Sequence, residues 1–458
     1  MQPPPWVAPE LVQVGRLPIH SVPHPDRLSL DGTWRFELLD RPDAEPTGAW
    51  RDIVVPGAWT MQDTGDLPQY TNVQMPFAGL PPSVPEANPT GLYERTFDLP
   101  AGWPGRRVVL HVGAAESVLL VELNDHTVGV SKDSHLAAEF DVTDLVEPGA
   151  NRLRLRVVKW SDATFVEDQD QWWHGGITRS VFLYASGPVY LADIRADAGL
   201  VDDLATGTLD LRVVVGFPGA ALEPGWTVEA NVDGVAEPLR AEARSIDPRS
   251  LEGWSRDDQR IMFDQAAGLL PPTETDAWAA VHARMAPPLP GLVSWRLELP
   301  NVRAWSAEDP ALTGIRITLH AADGSVAETA ELRVGFRRVE IVGLDLLVNG
   351  ARVFIRGVNR HDFDPHTGRT VGADQMRADL VLMKQFGFNA VRTSHYPNDP
   401  VFLDLTDELG LYVVDEADIE SHAFQSTLCD DQRYLGAWVD RVSRLAIRDK
   451  NHPSVIAW

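Results

Sequence analysis

Apolar and polar residues alternate with a period of two through much of the chain before Gly335. Trp34-Arg35-Phe36-Glu37-Leu38 and Leu153-Arg154-Leu155-Arg156-Val157 each put their apolar side chains on one face, the pattern of half-buried antiparallel strands. Val108-Val109-Leu110-His111-Val112 is apolar almost throughout and predicts a strand buried on both faces. Turn signals such as Asn124-Asp125 and Pro148-Gly149-Ala150-Asn151 separate the strands, and no amphipathic helix interrupts them. The pattern predicts a jelly-roll β-sandwich over 29–187, with a Pro-rich arm, 1–28, lying on it. It restarts near Ser186-Gly187-Pro188. Leu209–Val213, Ser294–Leu299 and Ile315–Leu319 alternate again and predict a smaller, immunoglobulin-like β-sandwich over 188–334. Within it, about 238–287 is rich in charge, Pro and Ala, fits no strand well, and reads as an insertion.

After Gly335 the period changes. Val353-Phe354-Ile355 predicts a buried strand, Asp374–Phe386 a helix stopped by Gly387, and Asn389–Val391 a second strand. Pro400–Leu409 predicts a helix closed by Gly410, and Leu411–Val414 a third strand. Tyr434–Arg448 predicts a helix with Leu435, Val439, Val442 and Ala446 on its apolar face, and Val455–Trp458 begins a fourth strand. Strand and helix in alternation imply parallel βαβ units, so 335–458 is expected to form the first half of a (β/α)8 TIM barrel. A half barrel would expose a strand edge and apolar helix faces. The expectation is therefore the amino-terminal part of a longer protein, with a half barrel completed by a second polypeptide as the alternative.

Composition narrows the picture. At 458 residues and 44% apolar content the chain has room for several cores. A net charge of −26 repels phosphate backbones, which argues against a nucleic-acid partner. Its single cysteine, Cys429, suits a reducing cytoplasm. The opening Met-Gln-Pro-Pro-Pro-Trp lacks the basic and apolar regions of a signal peptide, and no apolar run approaches a membrane span. The fifteen tryptophans read as core residues, with exposed stacking platforms as the alternative.

The candidate chemistry clusters in 389–424. Arg392, Ser394, His395 and Tyr396 follow one predicted strand, and Asp415, Glu416, Asp418, Glu420 and His422 follow the next. His361 follows the strand before them. Function at the carboxyl ends of successive strands is how a βα barrel builds an active site. If their segment is extended, Glu420 and His422 point the same way and can hold a divalent cation with a further ligand from elsewhere. The alternative is a solvated loop. There is no G-x-S-x-G elbow and no Gly-rich phosphate loop, and one cysteine excludes a cysteine-built zinc site.

These residues also carry a family resemblance. Asn389-Ala390-Val391-Arg392-Thr393-Ser394-His395-Tyr396-Pro397, continuing through Phe402-Leu403, Asp407 and Gly410, resembles a signature of glycoside hydrolase family 2, which includes the large β-galactosidases and β-glucuronidases. Arg356–His361, Ile419–His422 and Arg448–Ile456 extend it. Tyr70-Thr71-Asn72-Val73, Asn88–Gly91 and Glu167–Asp170 resemble the sugar-binding domain of long bacterial β-galactosidases. The resemblance implies a β-galactoside substrate, with Asn72, Asp170, His361 and His395 as sugar-binding residues. It implies Mg2+ on Glu420 and His422 and a monovalent cation (Na+ or K+) on Asp170. Retaining hydrolysis uses an acid/base and a nucleophilic carboxylate. The family's positions for both fall beyond Trp458, so no catalytic carboxylate is expected within the chain, and Asp415 and Glu416 read as supporting groups. The alternatives are another family 2 exo-glycosidase such as a β-glucuronidase, or a non-catalytic sugar-binding or complementing fragment. Large relatives often form homo-oligomers.

Overall fold

The structure, a computed structural model, describes residues 3–219, 222–245 and 291–458. Antiparallel strands dominate the first region. A seven-stranded sheet runs Gln13–Val14, His126–Lys132, Val118–Leu123, Ala150–Val158, Thr90–Asp98, Gly32–Leu39 and Arg51–Val55 in spatial order. A four-stranded sheet of Ala138–Asp141, Arg107–Val112, Val181–Ser186 and Arg27–Ser29 accompanies it. The alternation explains the packing. Leu153, Leu155 and Val157 are buried while Arg154 and Arg156 are half-buried, and Trp34, Phe36, Tyr93, Leu110 and Phe140 join them in one core. His111 is the half-buried exception in Val108–Val112, where it stacks on Phe182 and bonds Glu139. Trp59 reaches the strand that leads towards the candidate site. A Cβ on Gly175 would lie 2.3 Å from its ring, so only glycine fits there.

The arm is more than an irregular cover. Gln13–Val14 pairs with His126–Lys132 as an edge strand of the large sheet. Beyond it the arm also touches the other regions: Arg16 binds Asp440 at 2.6 and 2.8 Å, and Ser21 Oγ donates to the Ile194 carbonyl at 2.5 Å.

The second region packs a sheet of Tyr190–Leu200, Gly207–Gly216, Gly291–Leu299 and Arg244–Ser245 with one of Leu239–Glu242, Thr227–Val232, Thr313–His320 and Val326–Val334. Leu239–Glu242 and Arg244–Ser245 correct the expectation that the stretch of about 238–287 fits no strand. Both are short and flanked by charge, which hid them. The remainder of the expected insertion, up to 287, lies outside the described residues.

A three-stranded meander, Val339–Val342, Asp345–Val348 and Ala351–Arg352, leads into the βα region. Its elements are β1 (Gly357–Arg360), α1 (Ala373–Gln385), β2 (Ala390–Thr393), α2 (Pro400–Leu409), β3 (Tyr412–Val414), α3 (Leu435–Asp449) and β4 (Val455–Ala457). The four strands lie in that order in one parallel sheet. Helix α2 matches its predicted bounds because both ends are locally encoded. Asp399 caps the Val401 N–H at 3.0 Å, Pro400 opens the first turn, and Gly410 closes it at φ +75°.

Two expectations are corrected. The first strand is not Val353-Phe354-Ile355 but Gly357–Arg360, and Phe354 and Ile355 are 66% and 50% exposed. Apolar character marked them as core, but the sheet pairs β1 to β2 four residues later. Helix α3 forms as expected, yet Leu435, Val439 and Val442 are 47%, 48% and 44% exposed. Its buried side carries Ala437, Arg441, Arg444, Leu445 and Arg448. Arg441 donates to Glu167, and Arg444 donates to Asp133 at 3.3 Å, both carboxylates of the first sandwich.

Glu167, Asp133 and Asp418 crowd together, and burial followed by the neighbouring Asp418 raises the Glu167 carboxyl to about 7. Removing Arg441 would leave Glu167 to take up a proton at neutral pH rather than stay a bare charge. Arg441→Ala should therefore cost about 3 kcal/mol, the low end for a broken buried pair. Exposed Val439→Ala should change stability by less than about 0.5 kcal/mol. Urea unfolding of the two variants reads the difference.

Candidate sugar- and cation-binding site

Parallel register levels the strand ends. Arg360 pairs with Thr393 and Arg392 with Val414, so the residues that follow leave the sheet along one rim. His361 follows β1 directly, His395 lies two residues past β2, and Asp415 follows β3. The rings of His361 and His395 meet edge-on, 5.8 Å apart and 82° inclined. Burial, then the neighbouring His395 and Arg369, pushes His361 down to about 4, so its imidazole is neutral at pH 7, and its buried Nδ1 has no protein partner. His395 Nδ1 lies 2.8 Å from Glu416 Oε2. Burial works to raise Glu416, but hydrogen bonds from His395 and Arg392 outweigh it and hold the carboxyl below its ordinary range. Asp415 is fully buried against Thr393 Oγ1 at 3.2 Å, and burial with the nearby Asp449 raises it well above the carboxylate range. Asp415 and Glu416 thus brace their surroundings, Glu416 through His395.

The first sandwich enters this rim. A two-stranded ribbon pairs Gln69–Thr71 with Gln171–Trp173, Thr71 opposite Gln171, which brings Asn72 and Asp170 out together at its end. Both are exposed, and Asp170 Oδ1 accepts a hydrogen bond from the Tyr70 hydroxyl. The Asp170 charge acts on His361, which ties this pair to the histidines.

Glu420 and His422 lie farther along the stretch after β3. Their segment is not extended, because Ser421 between them is left-handed at φ +47°; the spacing argument for a shared direction therefore fails. Both still gather around Asp168. Burial raises that carboxyl to about 6, with His422 pulling it down and Glu420 pushing it up. Glu420 Oε2 and His422 Nδ1 are buried without a hydrogen-bond partner among the described residues. One carboxylate and one imidazole suit a divalent cation completed by water or another carboxylate.

The sequence reading missed the residues that connect these groups. Gln169 Nε2 donates to the His395 carbonyl at 2.9 Å and to Asp418 Oδ1 at 2.8 Å, and Gln171 donates to Gln169 at 2.9 Å. His135 stacks on Tyr396 at 4.2 Å and bonds Asp418 at 2.6 Å. Arg179 donates to the Pro397 carbonyl at 2.7 Å. Of these, Tyr396 and Asp418 fall in the polar runs after the predicted strands, and Glu167–Asp170 is marked only by the family resemblance.

Two other carboxylate groupings do not suit a metal. Asp133, Glu167 and Asp418 are already engaged by Ser134, His135, Gln169, Arg441 and Arg444. Asp404, Asp407 and His452 line a cleft of about 940 Å³ bounded by the arm, both sandwiches and α2. There His452 Nδ1 sits 2.6 Å from Asp407, and despite burial Asp407 lifts the imidazole to about 9, so it is a protonated ion-pair partner. Among the described residues no helix is long and apolar enough to cross a membrane.

Known structures of similar architecture are glycosidases. A β-glucuronidase of Bacteroides uniformis is 20% identical with a TM-score of 0.69, covering 94% of this chain and 46% of that one. A β-glucuronidase of Ruminococcus gnavus in complex with D-glucuronic acid is 19% identical with a TM-score of 0.67, covering 98% and 68%. At such identities the likeness concerns the fold alone. Residues 28–187 match the glycosyl hydrolases family 2 sugar binding domain, 254–337 the glycosyl hydrolases family 2 domain, and 339–458 the family 2 TIM barrel domain. The chain belongs to glycoside hydrolase family 2. It is 38% identical to a β-galactosidase of Pectobacterium atrosepticum over 99% of its length and 36% identical to one of Psychromonas ingrahamii over 94%. It spans 43% and 39% of those two proteins.

The histidine assignments are open to NMR. The ring carbon proton of His361 should hold its neutral shift from pH 8 down to about pH 5 and titrate near 4. His452 should stay protonated up to about pH 9. With a folded pKa above the ordinary 6.5, His452 contributes stability that is complete below about 6.5 and lost as pH rises through about 9. His452→Gln should flatten the fall of the thermal midpoint across that window.

Proposed function

We propose that this chain forms the sugar- and cation-binding part of a retaining β-galactosidase acting on terminal, non-reducing β-D-galactosyl residues. The observation that carries the reading is the convergence of His361 and His395, 5.8 Å apart, with the charge of Asp170 from the sandwich reaching His361. Neutral His361 can donate from one ring nitrogen and accept at the other, which suits sugar hydroxyls. Asn72 and Asp170 bind the outer hydroxyls of the galactosyl ring, and His361 and His395 those nearer the reacting carbon. Glu420 and His422 hold Mg2+, which supplies fixed positive charge beside the site. Asp170 also serves a monovalent cation, Na+ or K+.

The choice of a neutral sugar has its own support. A glucuronide carboxylate needs a free cation, and the arginines along this rim are committed. Arg360 binds Asp362 at 2.6 Å, Arg369 donates to His135 and the Trp172 carbonyl, and Arg392 binds Glu416. The curated relatives, at 34–38% identity over nearly the whole chain, carry the name β-galactosidase. Retaining hydrolysis needs two carboxyls roughly 5–5.5 Å apart across the bond. No residue of this chain is assigned to either role.

Two outcomes are expected. The purified chain should release no nitrophenol from nitrophenyl β-galactoside above the blank; turnover free of host enzyme would sink that part of the reading. By saturation-transfer NMR it should bind methyl β-galactoside more strongly than methyl β-glucuronide, and His395→Ala should weaken galactoside binding about tenfold, the loss of one or two sugar hydrogen bonds. Preference for the glucuronide would reverse the substrate assignment.

A further inference from the structure

The backbone around His422 is held from outside its own region. The Ser421 N–H donates to the Val166 carbonyl at 3.0 Å, the His422 N–H to the Asp168 carbonyl at 3.0 Å, and the Ala423 N–H to Asp168 Oδ2 at 2.6 Å. All three acceptors belong to one loop of the first sandwich. The turn they hold is unfavourable by itself. Ser421 is buried and left-handed at φ +47°, a conformation that costs a non-glycine residue about 1–3 kcal/mol. Local bonds from Phe424 and Gln425 to the Ser421 carbonyl, at 3.0 and 2.7 Å, close the far side of the turn.

With Ser421 left-handed, the directions of Glu420 and His422 do not follow from strand geometry. They follow from where the three acceptors pin the chain. Two of these acceptors are atoms of Asp168, one backbone and one side chain, and its carboxylate lies in the field of both Glu420 and His422. We propose that Asp168 is a positioning residue for the cation site: it templates the left-handed turn that aims Glu420 and His422 at a common ion, so that cation affinity depends on the sandwich domain. The proposal rests on the reading that these two residues bind a divalent cation. Residues that orient metal ligands typically contribute 10–100-fold in affinity.

The test uses Mn2+ as probe and Mg2+ as competitor on the 458-residue chain, with binding read by EPR loss of the free-ion signal. Asp168→Ala, which removes the side-chain acceptor of the Ala423 N–H, should weaken Mn2+ at least tenfold and alter the histidine-nitrogen coupling in pulsed EPR, while the circular dichroism spectrum is unchanged. An affinity within twofold of the unsubstituted chain, with unaltered coupling, overturns the role of Asp168. Where Asp168→Ala does not fold, Ala423→Pro removes the same hydrogen bond from the barrel side, and the same thresholds apply. His422→Ala separates the two ideas. If it binds Mn2+ as well as the unsubstituted chain, or if that chain binds none, the cation reading itself fails and Asp168 falls with it.

Discussion

The structure depends on charge buried between domains. Arg441 and Arg444 of α3 and Arg179 of the sandwich cross the boundary between the first sandwich and the βα sheet, meeting Glu167, Asp133 and the backbone of Pro397. Taking such ions out of water costs several kcal/mol each, offset here by close carboxylate and carbonyl partners, although the Nε atoms of Arg441 and Arg444 have no hydrogen-bond partner among the described residues. The seam is therefore weak glue and a strict ruler. Apolar surfaces tolerate sliding by a fraction of an ångström; a buried guanidinium between fixed carboxylates does not. That strictness matters because groups from both sides of the seam must converge on one rim.

The ruler extends into the site through one contiguous run. Glu167 takes the α3 arginine, Asp168 holds the turn at His422, and Gln169 bridges the His395 carbonyl and Asp418. The charge of Asp170 reaches His361, and Gln171 steadies Gln169. Three of these five neighbouring residues, Asp168, Gln169 and Asp170, thus address the ends of three successive strands. An error in seating the sandwich would be felt at once by the histidine pair and by Glu420 and His422.

Features encoded locally were readable from sequence. Asp399-Pro400 and Gly410 carry their own start and stop for α2, and the alternation Leu153–Val157 needs only one buried face. His361 and His395 could be found because strand periodicity locates the carboxyl ends of strands whatever packs around them. The apolar face of α3 misled because periodicity reports a stripe but not the partner. The arginine stripe won burial, since its carboxylates lie some 270 to 310 residues away in the chain. Phe354 and Ile355 misled for a related reason: hydrophobicity argued for β1 there, whereas pairing with β2 chose Gly357–Arg360.

What Asp168 and Gln169 hold was illegible for a deeper reason. Their partners are largely backbone groups, namely the N–H of His422 and Ala423 and the carbonyl of His395. A backbone group has no sequence signature, so neither end of such a contact is marked by residue type. Ser421 makes the same point from the other side. Nothing about a serine announces a left-handed turn, and the shared direction of Glu420 and His422 was expected only if their segment is extended. The conformation exists because a different domain offers three acceptors in the right places. A pair of side chains two apart in sequence therefore becomes a site only after tertiary structure has bent the residue between them, and the energy for that bend comes from the sandwich.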